Sequence, residues 1–89
     1  MAQILFTQQL ARFLPVPQLA TQAATLRAAL DGVFATNARL AAYVLDEQGR
    51  LRENVVIFID GRRTRERTRL DDPLRPDSTI HVLQALSGG

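Results

Sequence analysis

An α+β fold, with one main helix packed on a small mixed β-sheet, is what this 89-residue sequence predicts, and three observations carry it. Between Leu26 and Phe34 the apolar residues recur at helical spacing. Short runs rich in Val, Ile and Phe, bounded by Gly, Pro and Asp, stand before and after that stretch as strands. The length leaves room for one core, burying roughly 60–65% of the surface the unfolded chain exposes. A single domain over residues 1–89, with a flexible tail at 87–89, is therefore expected.

Taken in order, Ile4 to Phe6 is a short apolar run expected to form a buried central strand over about residues 3–8. FLPVP at 13–17 holds two prolines, which forbid helix and central-strand pairing, so a loop precedes a second strand at Gln18 to Ala23. From Thr25, an N-cap by residue type, Leu26, Ala29, Leu30, Val33 and Phe34 form one stripe of an amphipathic helix. Gly32 inside that helix costs about 1 kcal/mol relative to alanine and suggests close packing. Ala38 to Ala42 adds one more turn.

YVLDEQGRLRENVVIFIDG then reads as two extended pieces around a turn at Asp46 to Gly49, the second running from Val55 to Ile59 into an Asp60-Gly61 turn. Alternation buries Val55, Ile57 and Ile59 and leaves Val56 and Phe58 on the opposite face. RRTRERTR at 62–69 is a polar strand or loop, and LDDPLRPDS, with Pro73 and Pro76, is turn material. TIHVLQAL closes the order as a last strand with Ile80 and Val82 inward, His81 and Leu83 outward. One helix covering one face of such a sheet is the β-grasp arrangement.

Composition removes several function classes. There is no cysteine and His81 is the only histidine, so no disulfide framework, zinc site, or Cys or His nucleophile is available. No catalytic residue and no metal site is assigned, and Asp71-Asp72 lacks calcium-loop spacing. No apolar run approaches a membrane span, and MAQILFTQQ lacks the basic start and apolar stretch of a signal peptide, so a cytoplasmic protein without a membrane partner is expected. The eleven basic residues are all arginine, because the chain has no lysine. Five of them crowd into RRTRERTR, but no aromatic residue interleaves with them for base stacking and the formal net charge is only +2. A charge-protected edge strand fits that stretch better than a nucleic-acid partner.

These residues resemble a known family, the MoaD/ThiS-type sulfur carriers, which share the ubiquitin-like β-grasp fold. ILFTQQLARFL is similar to the family's first strand and loop, TLRAALDGVF to its helix, and LDEQGRLRENVVIFIDG to its hairpin. LDDPLRPDSTIHVLQALSGG is similar to its closing segment, which ends on Gly88-Gly89. Gln84 stands near where many relatives carry proline.

The resemblance implies that the carboxylate of Gly89 is adenylated by a ubiquitin-activating-type adenylyltransferase using ATP and Mg²⁺, with no cofactor bound by the chain itself. A sulfur donor then converts the adenylate to a thiocarboxylate, which supplies sulfur to a biosynthetic enzyme of molybdopterin (molybdenum cofactor), cysteine, thiamine or similar synthesis. The chain is then a carrier and co-substrate, not an enzyme. Glycines at 88 and 89 suit a narrow channel, having no Cβ to clash and wide backbone freedom, and Ser87 clears the approach. Val56, Phe58 and Leu83 form an apolar docking patch if their strands are neighbours, with Leu86 a further contact beside the tail. Two other readings share these residues: a ubiquitin-like modifier conjugated through Gly89, and a non-catalytic β-grasp binding module with an idle tail.

Overall fold

Alternating side chains and a few turn residues account for most of the architecture. The structure, a computed structural model, describes residues 1–12, 18–64 and 67–84. Its elements are β1 (Ala2–Phe6), α1 (Gln8–Ala11), β2 (Gln18–Thr21), α2 (Leu26–Phe34), α3 (Ala38–Val44), β3 (Val55–Ile59), β4 (Arg62–Arg63) and β5 (Thr79–Gln84). The five strands form one mixed sheet in the order β2-β1-β5-β3-β4. The β1–β5 pair is parallel and the other three are antiparallel. A parallel pair needs a crossover, and the chain between β2 and β3 supplies it with α2 and α3.

One face of the sheet is dry. Ile4, Val55, Ile57, Ile80 and Val82 are fully buried, each alternating with a half-buried or exposed residue on the other face. Against them pack Leu26, Ala29, Leu30 and Val33 of α2 and Leu40 and Val44 of α3. Burying each such Val, Leu or Ile side chain is worth about 1.5–3 kcal/mol.

The start of α2 is closed by a segment distant in sequence. The Thr25 hydroxyl oxygen accepts the amide of Ala28 at 3.2 Å, an N-cap by the residue type that favours it. The next two open amides, of Leu26 and Arg27, donate to the carbonyls of Asp72 and Leu70 at 2.9 and 2.7 Å. Leu70 has a left-handed backbone, φ 55. That conformation costs a non-glycine residue about 1–2 kcal/mol, which full burial of the leucine side chain offsets.

β3 and β4 are joined through Asp60 and Gly61, both at positive φ (51 and 82), the backbone of a two-residue primed hairpin turn. Asp-Gly is among the sequences that tolerate it. The same aspartate ties the hairpin to β5: its Oδ1 accepts the Thr79 amide at 2.9 Å and its Oδ2 accepts the Ser78 hydroxyl at 2.9 Å.

Several expectations are corrected. The first strand ends at Phe6, and the residues after Thr7 turn into the short α1 so that Leu10 reaches the core. The second strand stops at Thr21, whose hydroxyl oxygen accepts the Ala23 amide at 3.1 Å. Ala38 begins a separate seven-residue helix, not one added turn, so α2 is the main helix but has helical companions. Tyr43 and Val44 belong to that helix and are not extended, because Leu40 and Val44, one turn apart, are both fully buried. The turn after them lies where expected: the Gly49 amide donates to the Asp46 carbonyl at 3.0 Å. Gly32 does not mark close packing, since a Cβ there would meet nothing within 4 Å. The 13–17 loop lies outside the described residues.

Candidate functional site

The sheet face turned away from the helices is built by cross-strand neighbours, which point the same way. Leu5 pairs with His81, His81 with Phe58, and Phe58 with Arg63, making one row across β1, β5, β3 and β4. Val56 pairs with Leu83 in the adjoining row toward the end of β5. The strands carrying Val56, Phe58 and Leu83 are therefore direct neighbours, and all three side chains are half-buried on this open face. Leu5, also half-buried, extends the apolar strip, whereas His81 and Arg63 are exposed. Leu5 went unnoticed in the sequence, although its place between the inward Ile4 and Phe6 already put it on this side.

β5 delivers the chain to one end of that face. Its last residue, Gln84, sits opposite Val55, the first residue of β3. The Gln84 amide makes a long contact of 3.4 Å to the Thr7 hydroxyl oxygen, and the Thr7 amide donates to the Val82 carbonyl at 3.1 Å. Proline at 84 would remove that first donor. Leu86, Ser87, Gly88 and Gly89, with the tail expected at 87–89, lie outside the described residues.

The arginine-rich stretch divides its labour. Arg62 and Arg63 are the exposed edge strand, two residues long and doubly charged, features that discourage edge-to-edge pairing. Thr64 is buried, and its hydroxyl donates to the Asp72 carboxylate at 2.6 Å. Arg67 turns back to the protein: its Nη2 donates to the carbonyls of Val55, at 2.8 Å, and Arg52. A guanidinium thus takes the edge of β3 where β4 has ended. Arg65 and Glu66 lie outside the described residues.

Two carboxylates are held below their usual range. The Arg50 amide lowers Asp46 most, with help from the Gln48 amide and the Arg50 charge. For Asp60 the Thr79 amide contributes most, followed by the Ser78 hydroxyl, with Arg75 contributing further. Both are turn-building groups. A groove of about 630 Å³ lies beside Asp46, Arg50, Arg52 and Arg67, but these cations are engaged within the fold. Arg50 pairs with Asp46 at 3.2 Å and Arg52 Nε donates to the Ala42 carbonyl at 2.8 Å. Among the described residues no cluster of His, Cys, Asp or Glu could hold a metal ion, and no helix is long and apolar enough to cross a membrane.

A five-stranded mixed sheet with β5 at its centre and the main helix across one face is the ubiquitin-like β-grasp. Solved structures of that class superpose on nearly the whole chain. A chain of the Amycolatopsis orientalis BexX/CysO complex matches with a TM-score of 0.85 at 17% identity, covering 100% of both chains. Mycobacterium tuberculosis CysO matches with a TM-score of 0.82 at 16% identity, over 97% of this chain and 100% of that one. The small archaeal modifier protein 1 of Methanosarcina acetivorans gives 0.81 at 20% identity, over 99% of this chain and 95% of that one. At such identities the likeness is one of fold. No protein-family model matches the sequence, and no curated protein matches it.

Proposed function

We propose that the protein is a sulfur carrier whose Gly89 carboxylate is activated by a partner enzyme. The observation that carries this is the end of the central strand: β5 finishes at Gln84 beside the open apolar face, and the sequence that follows closes on Gly88-Gly89. The shared fold with CysO and small archaeal modifier structures supports the same reading. A carboxylate is a poor acyl donor because oxide would have to leave. Attack of a Gly89 oxygen on the α-phosphorus of ATP, with pyrophosphate leaving, gives a mixed anhydride whose leaving group is AMP. Hydrosulfide then attacks the carbonyl carbon, forming the C–S bond as the C–O bond to AMP breaks, and gives a thiocarboxylate, AMP and a proton. The adenylyltransferase supplies Mg²⁺ and alignment, and this chain supplies a slender reactive end. A sulfur-accepting biosynthetic enzyme takes the product, with molybdopterin, cysteine and thiamine synthesis the matching classes of pathway. The chain itself is a co-substrate of these enzymes, with no catalytic residue of its own.

Intact-mass measurement of the protein from its own cells tests this. A sulfur-for-oxygen exchange at the terminus is expected, lost on deletion of Gly89. Gly89→Ala is expected to abolish ATP–pyrophosphate exchange by the partner with the far-ultraviolet circular dichroism unchanged. A free acid under sulfur-demanding growth, or undiminished exchange with Gly89→Ala, overturns the reading.

A modifier conjugated through Gly89 to lysines of other proteins is the second reading, supported by the fold shared with small archaeal modifier protein 1. With no lysine in the chain, such a modifier could not be extended through its own side chains. Single isopeptide-linked adducts in the same mass measurement are its signature.

A further inference from the structure

The chain's nine acidic residues are distributed unevenly over the fold. None of those described lies on a strand: Asp31 is on α2 and the rest occupy turns and connections, Glu66 being outside the described residues. The open face thus presents Leu5, Val56, Phe58 and Leu83, with His81 in the middle row and the exposed Arg63 at the β4 end. It carries a permanent cation and, among the described residues, no carboxylate.

We propose that this face docks a protein partner whose contact surface is apolar opposite Val56, Phe58 and Leu83 and presents a carboxylate to Arg63. That a partner protein approaches here rests on the carrier reading, but the sign of its charge follows from the face alone. A guanidinium at the rim of an apolar strip favours a carboxylate by charge and by its planar, bidentate geometry. Charge at the rim steers encounter and selects partners, while the apolar centre holds them. A second copy is a poor occupant, because the same face offers its Arg63 no carboxylate. Nucleic acid is a poor occupant too, since phosphate binding recruits several cations and base stacking would have Phe58 alone.

The test places a photo-crosslinker on the face in the full chain, as Phe58→p-benzoylphenylalanine, and irradiates it in the source cells; the side chain points away from the core. The expected result is an adduct with one protein, joined at a peptide bearing Asp or Glu beside apolar residues. Its yield is expected to fall about tenfold or more with Arg63→Glu, less with Arg63→Gln, and to fall with added salt. Arg39→Glu, on the exposed side of α3, is expected to leave the yield unchanged. A junction without carboxylates, insensitivity to Arg63→Glu, an adduct with a second copy or with nucleic acid, or no adduct overturns the proposal. If the captured acidic protein neither catalyses ATP–pyrophosphate exchange with this chain nor accepts sulfur from it, the docking inference stands and the carrier reading falls.

Discussion

The amide of Arg27 donates to the carbonyl of Leu70 at 2.7 Å, while the Arg27 side chain reaches the carbonyls of Gly49 and Thr68 at 2.8 Å each and of Arg69 at 3.2 Å. One residue in the first turn of α2 therefore fastens two separate stretches of chain, the turn at Gly49 and residues 68–70, to the helix that covers the sheet.

Removing that clasp is expected to destabilise the fold. Arg27→Ala should lower the unfolding free energy by about 1–2 kcal/mol, as loss of charge-assisted hydrogen bonds at a half-buried site does. Arg27→Lys should recover little, because one ammonium cannot span three carbonyls in a fixed plane. Urea denaturation with an unchanged m-value checks both, and a lysine variant as stable as the parent contradicts the clasp.

Gly32 offers the opposite outcome. It lies inside α2, exposed, with nothing within 4 Å of a would-be Cβ. Gly32→Ala is expected to stabilise the protein by about 0.5–1 kcal/mol through helix propensity and a less disordered unfolded chain. A lower thermal midpoint for this variant shows that something crowds the site.

Acid sensitivity should report on Asp60. Its carboxyl is held below the usual range chiefly by the Thr79 amide, then by the Ser78 hydroxyl. A depressed folded value means stability that is full above the ordinary carboxylate range and is lost as pH falls through that range toward the folded value. Thermal midpoints of the parent should thus drop on acidification, and Asp60→Asn should drop less steeply. Some slope should remain, because Asp46 is depressed in the same direction. Parallel pH profiles for parent and variant exclude the linkage.

Thr64 tests the tie between the β4 end and the segment that caps α2. Its buried hydroxyl donates to Asp72, whose own carbonyl accepts the Leu26 amide. Thr64→Val keeps the shape and removes the donor, for an expected loss of about 1–2 kcal/mol. Hydrogen exchange at the Leu26 and Arg27 amides should quicken with it, and unchanged exchange there separates the hydroxyl from the cap.

Much of this was legible in the sequence, for local reasons. The helical stripe of α2, the Thr25 cap, the Asp60-Gly61 turn and the alternation of Val55 to Ile59 and of Ile80 to Leu83 all depend on residues within a turn or a strand of one another. Periodicity and turn chemistry act at that range. The Tyr43-Val44 stretch misled because two β-forming residues beside a turn look extended, while the burial of Leu40 and Val44 on one helical face is a tertiary outcome. Nothing local announces that an arginine inside an amphipathic helix will bond to a turn twenty residues on, or that Arg67 will finish the edge of β3.

By itself the sequence determined the fold class and the inward and outward faces of β3 and β5, because each is written in neighbouring residues. Only the tertiary structure decided that β5 lies between β1 and β3, and so that Leu5, Val56, Phe58 and Leu83 meet on one face with Arg63 at its rim. Strand order and register come from long-range pairing, which buries whole faces at once and leaves no mark on any single stretch of chain.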